Sequence, residues 1–346
     1  MTDRGPTNDS PAVLEHSQAA RSPFDWRRVA AQREIGVLLL LIITVACATL
    51  KNGEFIGATN ISDMLFNATP GIIIGCGMTL VIVTGEIDIS VGSLMGLCAA
   101  VLGLLTSREH PYQWPVWAGV LMVMATGAFV GLINGLLITI GKVPSIIVTL
   151  GMLTILRGIT QLVMGGEWYK DLPPALGHLG KGTLMGVPIP VLTAAGVALL
   201  FIIITLRTPL GRRVYAVGSN PRSAKLAGVS ETRTKLIVFT ITGILTGLAT
   251  VVYVPKLSTI DAETGKGLEL LVVTCVVVGG TSISGGKGTI IGTVLGVLLL
   301  SSIGTVLIFL DLGDQATFWQ RAIQGAFILL AVLADHLLAT RKEGHA

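Results

Sequence analysis

Ten long apolar segments constrain the fold of this chain more than any other feature. A helix needs about 20 apolar residues to cross the hydrocarbon core of a bilayer. Only 13% of the residues are charged, whereas a soluble domain carries about 25%. The sequence therefore predicts an all-α, polytopic transmembrane helix bundle of about ten spans and excludes an ordinary soluble enzyme. The segments are 34–50, 69–84, 91–106, 117–140, 146–164, 187–206, 237–254, 268–280, 289–309 and 317–338.

Three of these segments, 69–84, 91–106 and 268–280, are too short to cross as straight rods. We therefore expect short, broken or re-entrant helices there. Irregular backbone at membrane depth is tolerated only where it is buried in protein or lines a wet cavity.

The distribution of Lys and Arg predicts the orientation, because positive loops are retained in the cytoplasm. With the N-terminus inside, 16 of the 24 fall on the cytoplasmic side, six outside and two within spans. The sequence therefore predicts a multi-pass membrane protein with both termini cytoplasmic. Its parts are a disordered tail at 1–33, a membrane domain at 34–338 with a basic loop at 207–236, and a tail at 339–346.

Small residues recur at four-residue spacing in several spans, which predicts closely packed helices. The pairs and triplets are Gly127, Gly131 and Gly135, Gly71 and Gly75, Gly92 and Gly96, Gly243 and Gly247, and Gly292 and Gly296.

No catalytic, metal or cofactor pattern emerges from the reactive residues. The five histidines lack metal-ligand spacing, and no basic block carries the interleaved aromatics of a nucleic-acid surface. Segment 279–288 resembles a phosphate loop but has Thr281 and Gly288 where GxxxxGK[ST] requires Gly and Ser or Thr. The four cysteines fall in apolar runs and are expected to be buried: Cys47, Cys76, Cys98 and Cys275.

Segment 84–93 places two carboxylates, Glu86 and Asp88, between apolar runs. They fit either a solvated turn or a transport pathway, since carboxylates at membrane depth are costly and commonly functional. Ser90 is expected to cap the next helix with its hydroxyl. The segment has an echo 194 positions later, where 283–286 matches 89–92, which predicts an internal repeat whose relative orientation stays open.

The basic loop contains a second pattern, at 211–229. Asn220 and Pro221 are typical of a helix start and Gly228 of a helix stop, which predicts a short amphipathic helix. Arg222 and Lys225 share one face, while Ala224 and Ala227 form a small-residue face suited to a groove. Such a helix fits either lipid headgroups or another protein.

These motifs resemble the permease subunit of bacterial ABC sugar importers of the ribose and xylose type. The resemblance covers about 85–330 and includes TGEIDISVGS, GLINGLLIT, VPSIIVTLGMLTILRGI, RVYAVGSNPRSAKLAGV and VVGGTSISGGKGTIIGTVLG. It implies a homodimeric or heterodimeric pore, a periplasmic binding protein that delivers a small sugar, and cytoplasmic ATPase subunits that power transport.

The resemblance also assigns residues. It implies that the helix from Asn220 to Gly228 couples to the ATPase, with Arg222, Ala224, Ala227 and Gly228 seated in its groove. It implies roles in shaping or lining the pathway for a larger set: Gly85, Asp88, Ser90, Gly92, Asn134, Arg157, Gly279, Gly280, Gly285 and Gly286. We add Glu86 to this set because its carboxylate lies in the same motif.

Two features separate the chain from the commonest members. Glu86 stands where those members have a second glycine, and the loop 165–168 with 172–174 resembles the rhamnose or autoinducer-2 branch more than the ribose branch. Trp168 in that loop fits an interfacial aromatic belt or a sugar-stacking residue at the entrance. The alternatives are an ion-coupled secondary transporter, for which only Arg157 and Arg321 lie clearly within spans, a membrane-embedded enzyme and an ABC exporter.

Overall fold

The computed structural model describes residues 33–257, 259–309 and 315–343, with the side chains of the last helix described only in part. The predicted tail at 1–33 lies outside these residues except for Arg33. Residues 339–343 of the second predicted tail continue the last helix, and 344–346 lie outside the described residues.

The described part of the chain folds into thirteen α-helices, two short 3-10 turns and one small hairpin. The hairpin pairs β1 (Thr183–Leu184) with β2 (Val187–Pro188) in antiparallel register. The helices are α1 (Arg33–Lys51), α2 (Ala58–Val83), α3 (Val91–Thr106), α4 (Val116–Thr139), α5 (Ser145–Met164), α6 (Pro174–Lys181), α7 (Ile189–Arg207), α8 (Pro209–Ser219), α9 (Pro221–Leu226), α10 (Glu231–Tyr253), α11 (Leu268–Val278), α12 (Ile290–Phe309) and α13 (Ala316–Glu343).

Each of the ten predicted spans coincides with a helix, and the all-α membrane bundle is confirmed. Among the described residues, seven helices are long and apolar enough to cross a membrane: α1, α2, α4, α5, α7, α10 and α12. The apolar helices α3 and α11 are shorter, as the sequence predicts. The expectation for 69–84 is wrong, because α2 has 26 residues and continues through Pro70. Its first turns carry polar residues such as Asn60 and Asp63, so a prediction from apolar runs did not include these turns.

The two ends of the bundle are named here by the helices that terminate there. At the Val83 end, α2 and α4 finish and α5 and α10 begin. At the Thr106 end, α3, α5 and α10 finish. The helices α2 and α3 form the centre of the bundle. In the most apolar 18-residue stretch of α2, 94% is buried.

Glycine faces bring the helices into backbone contact, as predicted. A Cβ atom on Gly127 would lie 2.2 Å from the carbonyl oxygen of Gly243, so α4 and α10 touch. A Cβ on Gly75 would lie 2.9 Å from the Thr293 methyl group, and one on Gly296 would lie 2.1 Å from the Cys275 oxygen. Packing of this kind holds helices together in lipid, where no hydrophobic driving force acts between them.

Three of the four cysteines, Cys76, Cys98 and Cys275, are buried as expected. Cys47 is exposed in the described chain, which contradicts the expectation. It lies on α1, whose apolar residues form a largely exposed outer surface suited to lipid or a second subunit.

Candidate functional site

Three backbone segments meet at the Val83 end, and they include both glycine motifs identified in the sequence. The amide of Gly286 donates to the carbonyl of Val83 at 2.8 Å. A Cβ on Gly218 would lie 1.7 Å from that same carbonyl oxygen and 2.7 Å from the Gly286 nitrogen. The end of α2, the end of α8 and the loop between α11 and α12 therefore form one contact, which we call the three-segment junction.

The junction also shows on which side of the bundle the two copies of the predicted repeat motif lie. α2 and α11 both finish at the Val83 end, and the chain turns back from this end into α3 and α12. The two copies of the motif therefore lie on the same side of the bundle and run in parallel.

Glycine is required at the junction for two separate reasons. Gly285 and Gly286 have φ angles of 84° and 73°, a region that L side chains rarely adopt. Gly279 has an ordinary φ but packs on α12, where a Cβ would lie 2.3 Å from the Gly292 oxygen. Gly85 and Gly280 also have positive φ, at 82° and 99°, so they serve the turns that follow α2 and α11.

α8 is fixed to the second motif by a tyrosine. The Tyr215 hydroxyl donates to the Gly288 carbonyl at 2.6 Å. Burial, followed by the nearby Glu34 carboxylate, raises the pKa of Tyr215, so the hydroxyl remains a protonated donor. The sequence analysis did not single out this residue, although Tyr215 lies inside one of the motifs that carried the resemblance.

The predicted amphipathic helix is present as α9. The Asn220 side chain accepts from the Ser223 amide at 3.0 Å, Pro221 is the first helical residue, and Gly228 has a φ of 79° just past the end. Its exposed residues at the Val83 end include Arg222, Lys225 and Ala227.

One expectation for α9 is wrong. Ala224 is only 5% exposed and packs inside the chain, so it does not form an outward face with Ala227. The outward apolar residue is instead Leu226, which is 91% exposed. Helix α9 has less than two turns, and a spacing argument could not decide which of its faces rests on the bundle.

Glu86 forms a largely buried ion pair that connects segment 84–90 to α10. Its carboxylate lies 2.6 Å from the Lys235 ammonium, and the two side chains are 15% and 12% exposed. Lys235 also pairs with Glu231 at 2.6 Å. The three residues, with Lys142 and Lys225, line a cleft of about 490 Å³ between α9, the α4–α5 loop and the start of α10. Lys235 was counted in the sequence only as a loop charge.

Asp88, Ser90 and Asn134 form a buried polar chain. The Ser90 hydroxyl donates to Asp88 Oδ1 at 2.6 Å and accepts from Asn134 Nδ2 at 2.9 Å. Ser90 does stand at the N-terminus of α3, but its side chain caps no backbone amide, so the predicted cap is wrong. The hydroxyl oxygen accepts from Asn134 Nδ2 instead of from a backbone amide, and the hydroxyl group donates to Asp88. Asn134 Oδ1 has no partner among the described residues.

Within the described part of the chain, the Arg157 side chain donates hydrogen bonds to backbone carbonyl groups and not to another side chain. Its guanidinium donates to the carbonyls of Ala262 and Thr264 at 2.8 and 3.2 Å. This arrangement fixes the segment before α11 against α5. The same segment packs on α3, where a Cβ on Gly96 would lie 2.8 Å from the Thr264 oxygen.

Trp168 lies at the Thr106 end, where it is exposed, with the Lys170 ammonium 5.8 Å from its ring centroid. Its neighbour Tyr169 is buried and donates from its hydroxyl to the Val163 carbonyl at 2.9 Å. Trp168 is thus separated from the three-segment junction by the length of α5. Among the described residues, no group of three or more His, Cys, Asp or Glu side chains is arranged to hold a metal ion.

A multi-helix membrane bundle whose two glycine-interrupted motifs meet at one end has an architecture that is typical of membrane transport proteins. The family model described as "Branched-chain amino acid transport system / permease component" matches residues 60–332. The chain belongs to this permease family. Its relatives bear the names of transport components, not of enzymes.

Three relatives match nearly the whole chain. The ribose import permease protein of Haemophilus influenzae is 34% identical and aligns with 88% of this chain and 93% of its own length. The ribose import permease protein of Bacillus subtilis is 36% identical, over 88% and 92%. The autoinducer 2 import system permease protein of Enterobacter sp. strain 638 is 35% identical, over 90% and 89%. No solved structure matches the chain significantly.

Proposed function

We propose that this chain is the membrane-spanning subunit of an ATP-driven importer of a small sugar or sugar-like molecule. The names of its relatives, which are import permeases for ribose and for autoinducer 2, support this solute class. In this proposal a cytoplasmic ATPase supplies the energy, an external binding protein delivers the solute, and a second permease copy or a related permease completes the pore.

The observation that carries the proposal is the three-segment junction. α9 follows α8 directly, and α8 touches both the end of α2 and the α11–α12 loop through Gly218 and Tyr215. A displacement of α9 is therefore transmitted to two loops at once, the loop that follows α2 and the loop that follows α11. Closely packed elements transmit such displacements because they have discrete arrangements instead of deforming continuously.

The exposed residues of α9 suit a protein partner. Leu226 and Ala227 present apolar surface beside the positive charge of Arg222 and Lys225. We infer that these residues, with Asn220 and Gly228 fixing the helix ends, seat in the ATPase. The Val83 end then faces the cytoplasm, in agreement with its excess of Lys and Arg. Trp168 at the opposite end lies at the entrance for solute.

The proposal is tested by reconstitution. Proteoliposomes that contain the chain, its partner ATPase and its binding protein are expected to accumulate radiolabelled ribose only when ATP is present in the ATPase compartment. Uptake by the chain alone under a proton gradient, without ATP, would support the ion-coupled alternative and contradict the proposal.

Substitutions on α9 test the coupling role. Leu226→Glu and Ala227→Trp are expected to leave the chain folded, because both positions are exposed, and to lower ATPase co-purification at least tenfold. Ala224→Trp serves as the contrast, because Ala224 is buried and the added volume should destabilise the chain itself. Normal ATPase binding by both exposed variants would rule out α9 as the docking element.

A further inference from the structure

The segment between α10 and α11 enters the bundle from the Thr106 end and stops partway through. Ile260 pairs with Tyr169 through two backbone hydrogen bonds, of 2.9 and 3.0 Å, and Tyr169 packs on Gly103 near the end of α3. Five residues later, Gly265 rests on α3 near its start, where a Cβ on Gly92 would lie 2.7 Å from the Gly265 oxygen. Gly92 and Thr106 are separated by about 21 Å of helix, at 1.5 Å per residue.

α11 therefore begins at membrane depth. It has 11 residues and is preceded by irregular backbone that Arg157 holds in place. Its N-terminal residue Leu268 is about 16 Å along the helix axis from Gly279, again at 1.5 Å per residue. Non-helical backbone at this depth is stable only in protein or beside water.

Charged residues on this segment are exposed at that depth. Lys266 and Glu263 form an ion pair, and their side chains are 65% and 53% exposed in the described chain. A Lys or Asp facing lipid at the bilayer centre costs about 2.5–3.5 kcal/mol by insertion measurements. This face of the segment is therefore far more stable when it contacts water or a hydrated pore than when it contacts lipid acyl chains.

Glu269, in the first turn of α11, adds an unsatisfied acceptor beside this face. Its Oε1 accepts from the Gly267 amide at 3.1 Å, whereas its buried Oε2 has no partner among the described residues. The Oε2 atom packs on α3, since a Cβ on Gly92 would lie 1.8 Å from it. The hydroxyl of the adjacent Ser93 also lacks a partner. A buried acceptor left unpaired costs about 1–3 kcal/mol, and more when it is charged.

We propose that residues 261–269 form a wall of the aqueous translocation pathway. We further propose that the Glu269 carboxylate, whose Oε2 is covered by α3 in this conformation, accepts hydrogen bonds from hydroxyl groups of the solute when the contact with α3 opens during transport. The second part rests on the function proposed above, whereas the first does not. A carboxylate is an acceptor only, and a polyhydroxylated neutral solute supplies the donors that Oε2 lacks. Glu269 is not among the residues predicted above, although a carboxylate within the apolar run 268–280 is itself a signal.

The wall is tested by thiol labelling of the assembled transporter in nanodiscs. In a chain whose four cysteines are replaced by Ala, Lys266→Cys is compared with Met185→Cys on the exposed hairpin turn and with Ile155→Cys on the exposed apolar face of α5. The membrane-impermeant cation MTSET should modify Lys266→Cys within about tenfold of the Met185→Cys rate. A rate as low as that of Ile155→Cys would overturn the proposal, and Glu263→Cys gives the same comparison if Lys266→Cys fails to assemble.

The role of Glu269 is tested by ATP-dependent ribose uptake. Glu269→Gln is expected to lower uptake at least tenfold, and Glu269→Asp, which keeps the carboxylate, to lower it less. Glu54→Gln, in an exposed turn outside the bundle, is the matched control. Wild-type uptake by Glu269→Gln would refute the solute contact. If the unmodified chain carries no ribose with ATP, the proposed sugar function fails, while the labelling result still decides whether 261–269 lines water.

Discussion

The carbonyl oxygen of Val83 accepts a hydrogen bond from the Gly286 amide at 2.8 Å across 203 positions of sequence. This bond joins the last turn of α2 to the loop that precedes α12, and Gly218 of α8 packs over it. Two helix breaks and the helix before α9 thus share one small volume. A displacement of any of the three must be accommodated by the other two.

Gly218→Ala should disrupt this junction. The new Cβ would lie 1.7 Å from the Val83 oxygen, so backbone has to shift, and overpacking typically costs about 1–3 kcal/mol. We expect a lower melting temperature in detergent and a loss of ATP-dependent uptake. Gly196→Ala on α7 is the control, because no atom lies within 4 Å of its Cβ position. Equal melting temperatures for the two variants would argue against a tight junction.

Removing the Glu86 carboxylate should be more damaging than removing that of Glu231, although both lie 2.6 Å from Lys235. Glu86 is largely buried and bridges two elements, whereas Glu231 is an exposed partner one turn away, a pairing worth about 0.2–0.5 kcal/mol. Glu86→Gln should lower the melting temperature and uptake, and Glu231→Gln should change them little.

A double-mutant cycle that combines Glu86→Gln with Lys235→Met isolates the interaction free energy between these two side chains. The expected coupling between Glu86 and Lys235 is about 0.5–3 kcal/mol. A coupling near zero would mean that the ion pair stabilises nothing.

Ser90→Ala should weaken the buried polar chain. Asp88 loses the hydroxyl donor but keeps the Ser90 amide at 2.9 Å, whereas Asn134 Nδ2 loses its hydroxyl acceptor, and a buried group left unsatisfied costs about 1–3 kcal/mol. Thermal melting should show a clear loss of stability, whereas Thr154→Ala, which removes an exposed hydroxyl bonded within its own helix, should be nearly neutral. Combining Ser90→Ala with Asn134→Leu should cost less than the sum of the two single changes. Strict additivity would show that the two side chains act independently.

The Tyr215 hydroxyl should stabilise the chain in a pH-dependent way. Its pKa in the folded state is raised above the ordinary value of 10.0, so the neutral form is favoured by folding. The contribution is therefore complete below pH 10 and is lost as the pH rises through the raised pKa. The difference in melting temperature between the native chain and Tyr215→Phe should be constant from pH 7 to about 9 and shrink above pH 10. A difference that grows with pH would contradict the direction of the shift.

The apolar runs predicted the helices well because membrane insertion demands length and hydrophobicity, which are local properties of sequence. The glycine faces were also predictable, since four-residue spacing places residues on one side of a helix. Contacts between residues that are far apart in the sequence were not predictable in this way. Nothing in the local pattern pairs Glu86 with Lys235 or brings Gly218 to Val83, and the inward direction of Ala224 depends on how α9 rests on the neighbouring helices. Glu269 escaped because one carboxylate hardly changes the mean hydropathy of its run.

The backbone contact between α4 and α10 constrains how the bundle can move. With Gly127 against Gly243 and Gly131 against Phe239, neither helix can slide or roll alone without a collision of main-chain atoms. The two helices therefore form one rigid unit. Lys235 lies near the end of this unit at the cleft, and Asn134 lies on its inner side. We therefore expect a displacement that begins at α9 to move α4 and α10 together and to reach Asp88 and Ser90 through Asn134.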